Sequence, residues 1–180
     1  MPCKAPDVYW RVHGGKSNTA GHGNIPVLTV YALVNLGYGW ENIMSEGKNV
    51  TLNITTRRSD EEINLTTDAV CYEENGEIRF EYSESLSAKE DTKTVMTIAP
   101  QSVIINRVNA AGESTVMLFE ERKTFKGEYY TEYGTFDMSI FTTRMHTRLR
   151  DNQVSASFAY ELRFAGKGVG QFAIDVSANI

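Results

Sequence analysis

Four basic side chains, Arg144, His146, Arg148 and Arg150, recur at every second position of "YYTEYGTFDMSIFTTRMHTRLR", residues 129–150. In an extended strand that spacing projects all four from one face, an arrangement that can track a phosphate backbone. Tyr129, Tyr130, Tyr133 and Phe136, just upstream, supply ring faces of the kind single-strand binders use for stacking. Two features weigh against that use. The chain of 180 residues carries a formal charge of −5, which opposes broad affinity for polyanions. Glu161 and Arg163 alternate on the polar face of the next strand, and cross-strand Arg–Glu pairs, at about 0.2–1 kcal/mol each, explain the stripe without a ligand. Nucleic acid is therefore not the expected partner.

Other chemistries find still less support. His146 is the only histidine after residue 43, no G-x-S-x-G elbow occurs, and a Ser-His-Asp arrangement would have to assemble around that one imidazole. Cys71 lies in an alternating run and reads as a small buried hydrophobe. "GKGVG" at 166–170 resembles a phosphate loop only superficially, because no helix follows it. The pairs Glu61-Glu62 and Glu120-Glu121 occupy consecutive strand positions, which point to opposite faces and cannot share one substrate. Cys3, His13 and His22 match no compact zinc pattern. No catalytic residue, metal or cofactor is implied.

The elements that must position these groups are almost all strands. "NVTLNITTR" places Val50, Leu52 and Ile54 on one face, and "INLTTDAVC" continues with Ile63, Leu65, Ala69 and Cys71. Asn75-Gly76 is a strong type I′ hairpin signal, after which Ile78, Phe80, Tyr82 and Leu86 share the inward parity. "VSASFAYELRF" alternates without a break from Val154 to Phe164. Short turns between sequential strands predict an all-β, antiparallel up-and-down barrel of about 8–10 strands, with a sandwich as the structural alternative. Closure removes the edges such a sheet would expose. Between Ile140 and Thr143 the alternation slips by one, which is what a β-bulge does in a strand bent around a barrel. Phe136, Met138 and Ile140 should then face inward before the bulge and Met145 and Leu149 after it, with Arg144, His146 and Arg148 outside.

Composition changes near Met44. Residues 1–43 hold both tryptophans, three of the four prolines and six of the fourteen glycines, but two of the 23 acidic residues. Nothing in "HGGKSNTAGHGNIP" has a strand or helix period. Trp40-Glu41 must be encoded by TGG-GAR, a purine-rich stretch two codons before Met44 that reads as a translated ribosome-binding site. The expected organisation is a poorly structured, non-native or disordered extension over 1–43, Met44 as the natural start, and a barrel domain over 44–180.

The ordered succession of "MLFEE", "GEYYTEYGTFDMSIFTTRM" with its "YGTF" box, and "VSASFAYELRF" before a short last strand resembles the YwiB-like family. The resemblance spans about residues 46–178. It implies a calycin-like barrel, the fold of lipocalins and fatty-acid-binding proteins, in a bacterial domain of unknown function. It implies no activity and no functional residue.

A barrel of this size either fills with side chains or holds one small ligand, and a connected interior cavity of roughly 300 Å³ or more favours the second. The aromatic residues expected inside are Phe80, Tyr82, Phe119, Phe136, Phe158, Tyr160, Phe164 and Phe172. Arg107, Tyr82, Tyr130, Tyr133 and Tyr160 are the polar candidates for the lumen or its mouth, where one arginine among rings suits an amphipathic carboxylate. The expected role is non-catalytic binding of a small apolar or amphipathic ligand; the alternative is a protein or RNA interaction module using the outer face. The longest apolar run, "VLTVYALVNL" at 27–36, is too short and too interrupted to span a bilayer. Two cysteines without framework spacing suggest a cytoplasmic setting, and three N-x-[ST] triplets, at 49–51, 53–55 and 64–66, fall in Thr-rich alternating runs that read as strand composition. Nothing in the sequence sets an oligomeric state.

Overall fold

The computed structural model describes residues 8–9, 46–87, 90–131, 134–150 and 152–180. The strands are β1 (Val8–Tyr9), β2 (Lys48–Arg58), β3 (Glu61–Glu74), β4 (Glu77–Ser87), β5 (Glu90–Ala99), β6 (Ser102–Val108), β7 (Ser114–Phe119), β8 (Thr124–Thr131), β9 (Gly134–Arg150), β10 (Gln153–Phe164) and β11 (Lys167–Asn179). Apart from Val8–Tyr9, the extension and the start at Met44 expected from sequence lie outside the described residues.

Strands β2 to β11 form an antiparallel up-and-down sheet in the order β8-β9-β10-β11-β2-β3-β4-β5-β6-β7, and β1 pairs in parallel with β8. Pairing of the last strand with β2 curls the sheet into a nearly closed barrel. The remaining seam lies between β7 and β8, which no ladder joins among the described residues. They still approach closely: a Cβ at Gly127 of β8 would stand 3.6 Å from the Val116 carbonyl oxygen of β7.

Alternation sets what faces inward. Leu52, Phe80, Met96, Ile98, Val103, Ile105, Phe119, Ile140 and Phe158 are all buried at 2% exposure or less. Outward positions of β9 and β10 carry arginine, histidine, serine and glutamate, the reverse of a lipid-facing barrel wall. Among the described residues no helix is long and apolar enough to cross a membrane.

The bulge falls where the parity slips. Ala159 pairs with Arg144 and Tyr160 with Thr142, which leaves Thr143 as the extra residue of β9. Its hydroxyl donates to the Ala159 carbonyl at 3.1 Å. Met138, Ile140 and Thr142 are buried before the bulge, Met145 and Leu149 pack on the core after it, and Arg144, His146 and Arg148 are exposed. Asn75 and Gly76 form the expected turn with φ of 53° and 78°, both in the left-handed region that Asn and Gly tolerate.

Two expected inward side chains are exposed instead. Ile63 is 65% exposed, because β3 and β4 pair only from Val70–Glu74 to Glu77–Glu81. Beyond that point the β2–β3 and β4–β5 hairpins separate, so Ile63 keeps the inward parity with nothing across from it. Phe136 is 40% exposed; it pairs with Tyr129 near the end of β9, above the packed core.

Candidate functional site

The barrel has a closed end and an open end. At the closed end the β5–β6 turn reaches across to β9, and the Thr147 hydroxyl donates to the Pro100 carbonyl at 2.7 Å. The open end lies where β3 and β4 separate, and inward positions near it carry polar and aromatic side chains.

The centre of this mouth is Glu84, 4% exposed. Its Oε1 accepts from the Thr94 hydroxyl and from Arg107 Nη2, both at 3.2 Å. Strand register explains the cluster, since Tyr82 pairs with Thr94, Thr94 with Arg107 and Arg107 with Thr115. Four adjacent strands thus point their inward residues at one level. Arg107 has a side chain 39% exposed at its outer part, yet its Nε is buried without a hydrogen-bond partner. A buried guanidinium donor with no acceptor is costly and calls for one.

Aromatic rings line the rest of the lumen, from β7 across to β10 and β11. Phe119 lies 4.6 Å from Phe158 and 5.0 Å from Tyr160, measured between ring centroids. Tyr160 stacks on Phe172 at 5.3 Å with planes 14° apart, and Arg58 lies over the outer side of Phe172. Nearer the rim, Tyr129 meets Phe164 at 5.2 Å. Burial, with Glu84 beside it, pushes the Tyr82 hydroxyl well above the ordinary tyrosine range. Burial pushes Tyr160 up to about 12, with the Arg107 guanidinium pulling the other way.

These shifts fix the sign of an alkaline effect. Both phenols have folded-state values above the ordinary value of about 10, so their contribution is complete below that pH and is lost as pH rises through the folded values. Unfolding free energy should fall between pH 10 and 12, at up to about 1.4 kcal/mol per pH unit for each phenol the unfolded chain has ionised. Tyr160→Phe should flatten that fall. Urea titrations across the pH series check it, and an equal slope in the variant would contradict it.

The sequence-derived candidates divide accordingly. Arg107, Tyr82 and Tyr160 are brought together at the mouth. Tyr130 is not: it has the opposite parity to Tyr129, and its hydroxyl donates to Glu128 at 2.8 Å, which raises its pKa. Tyr133 lies outside the described residues. Glu84 was the residue to find, because it shares the inward parity of Phe80 and Tyr82, and a carboxylate at such a position needs a cation.

A known family covers this region. Residues 49–176 match the Domain of unknown function (DUF1934). The chain belongs to that family. The DUF1934 domain also resembles the crystal structure of the YwiB protein from Bacillus subtilis with a TM-score of 0.64, at 16% identity over 76% of this chain and 94% of that one. At that identity the likeness speaks for the fold. No curated protein matches the chain.

The lower lumen of the DUF1934 domain is packed by Phe80, Phe119 and Phe158. Two open hollows lie on its outer wall. One, of about 330 Å³, is bordered by Asn53, Thr55, His146, Ser155, Ser157 and Ser177. The other, of about 280 Å³, surrounds Phe141, Ser139 and Arg163. Asp175 also borders the first and is paired with Arg57, which holds Glu62 at 2.8 Å on its other side. The Ser157 hydroxyl and Arg57 keep the Asp175 carboxyl below its ordinary value.

Proposed function

We propose that the DUF1934 domain is a non-catalytic binding protein that takes a small amphipathic molecule at the open end of its barrel. The anionic group of the ligand accepts from Arg107, and its apolar body lies against Tyr160, Phe172, Phe164 and Tyr129. One observation carries the reading: the partly exposed guanidinium of Arg107, held beside Glu84, Tyr82 and Tyr160 with its Nε lacking an acceptor, at the end where β3 and β4 part. An anionic oxygen there makes a charge-assisted hydrogen bond, roughly twice as strong as a neutral one. Because Phe80, Phe119 and Phe158 fill the lower barrel, the ligand occupies the mouth and not the depth of the lumen. A cytoplasmic setting suits the free, buried Cys71.

Anilinonaphthalene sulfonate, an anion on an apolar ring system, tests the site. Its fluorescence should rise saturably with the protein, dodecanoate should compete, and Arg107→Met should lose about tenfold or more in affinity, one charge-assisted bond's worth. Equal titrations for wild type and Arg107→Met would refute the reading.

A further inference from the structure

The register of β9 against β10 removes the partners that sequence offers to the basic stripe. Arg144 lies opposite Ala159, His146 opposite Ser157, Arg148 opposite Ser155 and Arg150 opposite Gln153. Glu161 falls opposite Phe141 and accepts from Gln171 instead. Among the described residues, no carboxylate comes within ion-pair distance of Arg144 or Arg148. Asp175, the nearest acid across the small residues of β10, is already held by Arg57 and meets Arg144 only through space.

This leaves Arg144 and Arg148 without a direct ion-pair partner among the described residues, on an acidic protein. Four basic positions at about 6.7 Å intervals span roughly 20 Å of strand. Beside this ridge runs a hollow bordered by Ser155, Ser157, Ser177, Thr55 and Asp175; Thr55 donates to Asn64 and Ser157 to Asp175, so Ser155 and Ser177 are the hydroxyls that can donate to phosphate oxygens. At the head of the ridge, on the far side of the Thr143 bulge, Phe141 is 38% exposed on the same outer face. It borders the second hollow, together with Glu161 and Arg163. The bulge is what aligns these parts: were Thr143 a regular strand position, Phe141 and the arginines would lie on opposite faces of β9.

We infer that the outer face of β9 and β10 binds single-stranded nucleic acid, with Arg144 and Arg148 on phosphates and Phe141 stacked on a base. An aromatic platform beside a cationic track is what sequence-tolerant single-strand binding requires. An acidic peptide, by contrast, would gain nothing from Phe141 that a plain cationic surface lacks. The ridge and the mouth are on opposite sides of the barrel wall, so this inference stands or falls separately from ligand binding at Arg107.

Fluorescence anisotropy of a labelled oligouridine with the full chain tests it. At low salt the oligonucleotide should bind saturably. Arg144→Ala/Arg148→Ala should weaken binding about tenfold or more and lower the slope of log K against log salt by about 1.4. Phe141→Ala should weaken it about tenfold at nearly unchanged slope. Arg144→Lys/Arg148→Lys keeps the charge and should keep the salt slope, which separates loss of contacts from loss of fold. Absence of binding at low salt, double-alanine binding equal to wild type, or displacement by polyglutamate as effective as by unlabelled oligouridine would each overturn the inference.

Discussion

Phe119→Ala is expected to lose about 3–5 kcal/mol of stability, the range for deleting a buried phenylalanine. The ring is fully buried and contacts Phe158 and Tyr160 at 4.6 and 5.0 Å between centroids. It links the packed lower lumen to the mouth. β7, which carries it, is an edge strand at the seam, with a ladder to β6 alone. Relaxation of β7 could collapse some of the cavity, so the lower part of the range applies if the seam narrows. A domain of ordinary stability, about 5–15 kcal/mol, would lose a large fraction of it. Urea unfolding gives the value directly, and Phe119→Leu, which keeps most of the volume, should cost markedly less. A loss under about 1 kcal/mol for the alanine variant would mean that the aromatic cluster is not a rigid core.

How far the sequence discloses this molecule depends on whether a feature is local to one strand. The unbroken alternation from Val154 to Phe164 predicts burial of β10 correctly, because period 2 needs no knowledge of neighbours. Asn75-Gly76 predicts its turn because φ > 0 is a property of those residues alone. The slip near Thr143 predicts the bulge and the outward placement of His146 for the same reason. Cross-strand facts were less legible. Glu161 has the charge to partner the basic stripe, but the β9–β10 register sets Gln153 against Arg150 and so carries Glu161 past the stripe to Phe141. Ile63 has the right parity for the core and fails to reach it because β4 has left β3 by that level. Tyr130 shares with Arg107 only its polar character, since its parity relative to Phe125 and Gly127 directs it outward.

The site itself was half legible. Arg107, Tyr82 and Tyr160 were identifiable as polar groups on inward parity. The acid that organises them was hidden in plain alternation, since "EYSES" places Glu84 inward exactly one repeat after Tyr82. A buried carboxylate without a cation is so costly that its presence on an inward parity is itself a search instruction: find the inward Arg or Lys at the same level.

Arg107→Met should therefore cost about 2–4 kcal/mol, somewhat below the 3–5 kcal/mol typical of breaking a buried pair because Arg107 is partly exposed. The variant leaves Glu84, 4% exposed, with the Thr94 and Tyr82 hydroxyls as its remaining described donors and no cation. Replacing both partners, Glu84→Gln with Arg107→Met, should recover most of that loss, because neither a buried charge nor its desolvation remains. Urea unfolding of the four proteins closes a double-mutant cycle; a coupling below about 0.5 kcal/mol would place the pair with solvent-screened surface bridges. Binding then separates structure from function. Glu84→Gln frees Arg107 from its internal carboxylate, so it should strengthen anilinonaphthalene sulfonate binding while weakening the fold, whereas the double variant should be nearly as stable as wild type and bind poorly. A pair kept only for stability would show no such opposition, since the variant that restores the fold would also restore the site.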